Sequence, residues 1–278
     1  MTNPLLQLGE VGQAVWLDFI DRQILENGGL KRLIEQDGLK GVTSNPSIFE
    51  KAMGEGPDYD ERLRAFLARG RPGAAEVYEH LAIGDIQDAA DQLRPVYDAT
   101  NGADGFVSRI DTQIDKKIDQ RIAAGDKDAE ALKALRGKVA IANAKVAYQE
   151  YLKLIATPRW KALAAAGARP QRLLWASTGT KDPAYSDVLY IETLIGPDTV
   201  NTVPPKTMDA FRDHGRVAIT LTQDVPEAER VLAEAQRLGL DLDGVTRDLV
   251  TDGVKLFSDA ADKLLAAVHG KLAQRQAG

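Results

Sequence analysis

Five short apolar runs, each handing over to a polar cluster and then to helical periodicity, constrain this chain more than any other feature. They are Ala14-Val15-Trp16-Leu17-Asp18, Gly41-Val42-Thr43, Phe106-Val107-Ser108-Arg109-Ile110, Leu173-Leu174-Trp175-Ala176 and Asp198-Thr199-Val200-Asn201-Thr202. The fourth run is short and ends in turn formers, the pattern of a strand buried on both faces. Val217 to Leu221 reads as a further strand or as a segment at a barrel's lip. Strands alternating with helices predict an α/β fold with a parallel sheet.

The intervening stretches carry apolar residues at helical spacing. Phe19 to Gln36 is helical with a break at Gly28-Gly29, and helices follow over Tyr59–Ala68, Ala74–Leu81 and Ile86–Ala99. Ser44-Asn45-Pro46 is a helix start, because Ser or Asn caps orphan amides and proline suits the first helical position. Thr112 to Ala166 is rich in Ala, Lys, Glu and Leu, so it predicts a long helical region interrupted near Gly125 and Thr157-Pro158. Pro205–His214, Val225–Leu238 and Thr246–Gln274 complete the helices, the last notched at Gly253. No repeat or linker divides the chain, which predicts a single domain over residues 1–278.

Composition narrows the chemistry. A chain of 278 residues suits a (β/α)8 barrel, typically about 250 residues. Without cysteine there is no disulfide or thiolate metal site, and three histidines leave little for zinc. A net charge of −6 without a basic block argues against a nucleic-acid partner. No apolar run reaches the roughly 18 residues of a membrane span. Met1-Thr2-Asn3-Pro4 lacks the basic and apolar regions of a signal peptide, so a cytoplasmic location is expected.

The chemistry gathers where strands end. Ser177-Thr178-Gly179-Thr180-Lys181 sets three hydroxyls, a glycine and an ammonium after the fourth run. Such a loop suits a phosphate dianion, and barrels hold phosphate after their last two strands. The plain alternative is a polar loop with an exposed lysine. Asp18 ends the first strand but could simply cap the next helix. Thr43 and Asn45 could be β-propensity and capping choices, and Arg109 could pair with Asp111 or Asp115 on the surface.

Several of these words together resemble one family. Gly41-Val42-Thr43-Ser44-Asn45-Pro46, Phe106-Val107-Ser108-Arg109-Ile110-Asp111 and Leu174-Trp175-Ala176-Ser177-Thr178-Gly179-Thr180-Lys181 resemble transaldolase in its long bacterial form. Arg136-Gly137-Lys138 through Gln149 and Asp198-Thr199-Val200-Asn201-Thr202 extend the resemblance over most of the chain. It implies a (β/α)8 barrel of the pentose phosphate pathway. There a lysine forms a Schiff base with a ketose phosphate, and a dihydroxyacetone unit passes to an aldose phosphate. The iminium is the electron sink, so no cofactor is needed. By motif, Asp18 would be the acid/base, and Thr43 and Asn45 would hold substrate around the iminium. Arg109, Ser177 and Lys181 would bind the sugar phosphate.

The same resemblance exposes a gap. In the family a third strand carries a glutamate, a fourth the Schiff-base lysine, and a fifth an asparagine and a threonine. Here Asp104-Gly105, which resembles the start of the third strand, runs directly into Phe106-Val107-Ser108-Arg109, which resembles the sixth. About three βα units, on the order of 90 residues, are missing at a junction near residues 104–108. The two joined strands share a Val-Ser word in the family pattern, so an in-frame deletion would leave one copy, Val107-Ser108. The expected fold is an incomplete, open derivative of the barrel with about five parallel strands plus extra helices. Open edges expose amides and apolar faces, which a homodimer would cover. No lysine falls on a short buried strand, so transaldol transfer is expected to be lost or impaired. A non-catalytic sugar-phosphate-binding protein and a folding-compromised remnant are the alternatives.

Overall fold

The computed structural model describes residues 3–54, 57–70, 72–101, 103–104, 107–108 and 128–276. Their contacts fall into two compact units. One comprises Met1–Ala14 with Asp111–Val250, the other Val15–Ile110 with Thr251–Gly278. The elements in chain order are α1 (Pro4–Glu10), β1 (Gln13–Leu17), α2 (Arg22–Glu26), α3 (Gly29–Asp37), β2 (Gly41–Thr43), α4 (Pro46–Gly54), α5 (Asp60–Leu67), α6 (Ala74–Ala99) and β3 (Val107–Ser108). Then come α7 (Ala129–Leu135), α8 (Val139–Ile155), α9 (Pro158–Ala165), β4 (Leu173–Trp175), α10 (Leu189–Thr193), β5 (Thr199–Val203), α11 (Pro205–His214), α12 (Val225–Arg237) and α13 (Leu242–Gln276). The fold is α/β, with five described strands as expected.

In the unit of residues 15–110 and 251–278, β1 pairs in parallel with β2 and β2 with β3. The register sets Trp16 beside Gly41, Val42 beside Val107 and Thr43 beside Ser108. Gly41 has a steric reason: a Cβ there would lie 2.5 Å from the Trp16 ring. The buried indole donates to Asp104, 3.2 Å away. Helices α2, α3 and α5 all pack on α6. Where the pattern predicts two helices over residues 74–99, α6 runs unbroken through Gly84 and Pro95. Tertiary contacts override the local breakers. At Gly84 a Cβ would meet the Arg62 guanidinium at 2.6 Å, and that guanidinium reaches Asp88 at 2.7 Å. The helix thus passes Gly84 with its backbone bare so that Arg62 can cross it.

In the other unit, β4 pairs in parallel with β5, with Leu173 beside Thr199 and Trp175 beside Asn201. All five residues of β5 are buried, whereas the three of β4 are half-exposed. The expectation that Leu173–Ala176 is buried on both faces is therefore corrected. Among the described strands β4 pairs only with β5, and a strand at a sheet's edge lacks a neighbour to cover it. Val217–Leu221 is not a strand either. The amides of Thr220 and Leu221 both bond to Ile195 O, which clips the segment to one residue rather than along a ladder. Helices α7 and α8 bury Leu132, Leu135, Val139 and Ala142 against Ala228, Val231 and Ala235 of α12. The predicted interruption at Thr157-Pro158 is present, with the Thr157 hydroxyl capping α9. Residues 112–127 of the predicted helical region lie outside the described residues. Helix α13 continues through the expected notch at Gly253. Among the described residues no helix is long and apolar enough to cross a membrane.

Candidate functional site

Asp18 follows the last residue of β1, and Thr43 is the last residue of the neighbouring β2. Parallel pairing brings both to the same end of the strands, where α/β folds keep ligands. The Thr43 hydroxyl donates to Asp18 Oδ1 at 2.7 Å. Thr43 is buried and Asp18 half-buried, so the carboxylate keeps access to solvent. The N-cap of the helix that follows is Asp21 rather than Asp18, its side chain accepting from the Ile24 amide at 2.7 Å. Asn45 does cap its helix, with Oδ1 accepting from the Ile48 amide at 2.9 Å and Pro46 opening α4. Arg109 lies outside the described residues.

Beyond β4, Ser177 holds a left-handed backbone, φ 52°. A serine there costs on the order of 1 kcal/mol unless its surroundings dictate it. They do so through β5. The Ser177 amide donates to Thr202 Oγ1 at 2.8 Å, and the Thr178 amide to Thr202 O at 3.1 Å. The Thr178 hydroxyl donates to Asn201 Oδ1 at 2.7 Å. Gln13 adds a further tie, its side-chain amide donating to Leu194 O at 2.7 Å and Thr199 Oγ1 at 3.0 Å. The polar residues that make β5 look unlike a core strand are thus the ones that shape the loop after β4.

Gly179 lets that loop close on the start of α11. A Cβ there would sit 3.0 Å from Thr207 Oγ1 and 3.2 Å from Pro204. Past it, Lys181 lines an open pocket of about 510 Å³ with Thr180, Lys206, Thr207, Asp182 and Asp187 among its walls. Ser177 is not among the lining residues, so Ser177 and Lys181 face different surroundings within one loop. Lys206 and Thr207 carry no role in the sequence reading. Their only signal is a cation and a hydroxyl in the first turn of a proline-started helix.

The comparisons bear on what these strand ends belong to. A family model described as Transaldolase/Fructose-6-phosphate aldolase matches residues 15–108 and again 105–268. The two matches overlap at residues 105–108, where Val107-Ser108 stands. Similar proteins include Transaldolase 2 of Nostoc sp. strain PCC 7120, 35% identical, with 97% of this chain and 98% of the relative covered. The Transaldolase of Trichodesmium erythraeum is 33% identical, with 98% of each covered. The Transaldolase of Parafrankia sp. is 35% identical, covering 98% of this chain and 99% of the relative. The Nostoc alignment spans 373 positions against 278 residues here, so the relative holds residues that this chain lacks. Matched from both sides of that seam, the chain belongs to the transaldolase/fructose-6-phosphate aldolase family.

Proposed function

We propose that this protein binds sugar phosphates at the carboxyl ends of its strands and has lost efficient transaldol transfer. The observation that carries the reading is the placement of its lysines. Among the described residues no lysine is buried and none lies on a strand. Lys40 comes nearest, but it precedes β2, and its amide bonds to Val15 O at 2.8 Å. That is the amino end of the strand, opposite Thr43. Lys116, Lys117 and Lys127 lie outside the described residues. A Schiff base needs a free amine in a setting that lowers its pKa, above all a desolvated one, and no described lysine is buried.

The retained parts support binding. Asp18 and Thr43 stand as a hydrogen-bonded pair able to hold and move a proton at a bound sugar's hydroxyl. Arg109, Ser177 and Lys181 are the proposed phosphate contacts, a guanidinium and an ammonium suiting a phosphate dianion. The setting is the cytoplasm, and the pathway that of pentose phosphates.

Borohydride reduction in the presence of fructose 6-phosphate, followed by intact-mass measurement, tests the loss of transfer. No adduct is expected, and a stable adduct on any lysine would restore the transaldolase reading. Calorimetry with the same ligand tests binding. Heat is expected from the wild type and much less from Arg109→Ala; no heat from the wild type removes the proposal.

A further inference from the structure

We propose that a second copy of this chain docks its basic α9 region on the acidic, apolar face of α6. This goes beyond sugar-phosphate binding and does not depend on it.

The two surfaces are opposite in charge. From Tyr151 to Lys181 there are six lysines and arginines and no acidic residue, in a protein of net charge −6. These cations are spread along the segment rather than contiguous. Helix α6 carries six carboxylates and a single lysine or arginine, Arg94. That guanidinium is spent on its own helix, donating to Asp98 at 3.1 Å. Both surfaces have charge to spare. Glu79 and Asp91 of α6 are exposed and form no ion pair among the described residues, and the same holds for Arg159 and Lys161 of α9.

Apolar exposure coincides with the charge. Helical spacing puts Glu79, Ile83, Ile86, Ala90 and Tyr97 on one stripe of α6. All five are exposed, Ile83 by 52%. On the basic side Leu154, at the end of α8, is 63% exposed, and α9 buries no residue and leaves Leu163 exposed. Single exposed apolar residues are ordinary, but a contiguous stripe rimmed by charge marks a protein contact.

The seam gives α6 a reason to be bare. Helices in a barrel's outer ring lie side by side, and the seam at Val107-Ser108 follows α6 directly. Each surface also leads by a short loop into a strand with one partner among the described strands, α6 into β3 and α9 into β4. A second copy therefore meets helix face and strand edge together. Carboxylates set against ammonium and guanidinium groups fix its orientation.

The test is light scattering and sedimentation of the full chain at about 0.1 M salt. The proteins are the wild type, Arg159→Glu with Lys161→Glu, Glu79→Lys with Asp91→Lys, and a one-to-one mixture of the two double variants. The wild type should give about twice 30.2 kDa. Its dissociation constant should rise at about 1 M salt, where screening acts within about 3 Å. Each double variant alone should self-associate at least about tenfold more weakly, because like charges then face each other. Its thermal melt should not change, since all four side chains are exposed. In the mixture, one copy has two acidic surfaces and the other two basic ones, so association should return. A wild-type monomer overturns the proposal, including one that instead binds anionic vesicles or an oligonucleotide through Arg159 and Lys161. So does unchanged self-association in either double variant, which would leave pairing to the strand edges alone, or a mixture that stays apart.

Discussion

Arg22 is 4% exposed and Asp85 fully buried, an ionic pair enclosed in the unit of residues 15–110 and 251–278. Burial alone would lower the Arg22 pKa, but hydrogen bonds to Asp88, Asp85 and Glu26 hold it above its ordinary value. Burial pushes the Asp85 carboxyl upward, while donors from Tyr59 and Arg22 oppose that shift. Removing one partner strands the other in a poorly solvated site. Arg22→Met should therefore cost about 3–5 kcal/mol, measured by urea unfolding, far more than an exposed pair is worth. His214 behaves differently because it is accessible. Hydrogen bonds to Asp187 and Asp213 raise its pKa above 6.5. A raised histidine stabilises the fold below its unfolded value and loses that contribution as pH rises through the folded one. A proton NMR titration should place His214 above 6.5, and Asp187→Asn should move it back toward that value.

Among the elements, α9 buries no residue and depends on its ends. The Thr157 hydroxyl accepts from the Trp160 amide at 3.3 Å, and Pro158 opens the helix. Thr157→Ala should cost about 1 kcal/mol, read as faster amide exchange within α9 while the global melt scarcely moves. Such helix starts were legible from residue types alone. Asn45-Pro46 and Thr157-Pro158 both begin helices, since their effect is local. The continuity of α6 was not legible, because the contacts beside Gly84 come from outside the helix, Arg62 against Gly84 itself and Arg22 and Tyr59 on Asp85. Nor was the difference between β4 and β5. An apolar triplet marks a strand, but its exposure depends on which strands lie beside it.

For the whole molecule, the absent units leave β3 paired only with β2, and β4 only with β5, among the described strands. Unpaired strand edges invite another chain. We expect two copies to associate through such an edge, so light scattering should give about twice the 30.2 kDa of one chain. Leu174→Lys, on half-exposed β4, should return the mass to that of one chain. A wild-type monomer with a cooperative melt would exclude pairing.

Residue order alone determined the family, the α/β class and the seam at Val107-Ser108, because motif words and helix starts act over a few neighbouring residues. It also placed Asp18 and Thr43 at strand ends. Only the tertiary structure decided that the two share a hydrogen bond, since that depends on parallel register between segments 25 residues apart. The same holds for the pocket of Lys181, Lys206 and Thr207. Packing of the β4 loop on α11 brings these residues together, and periodicity along the chain carries no information about that approach.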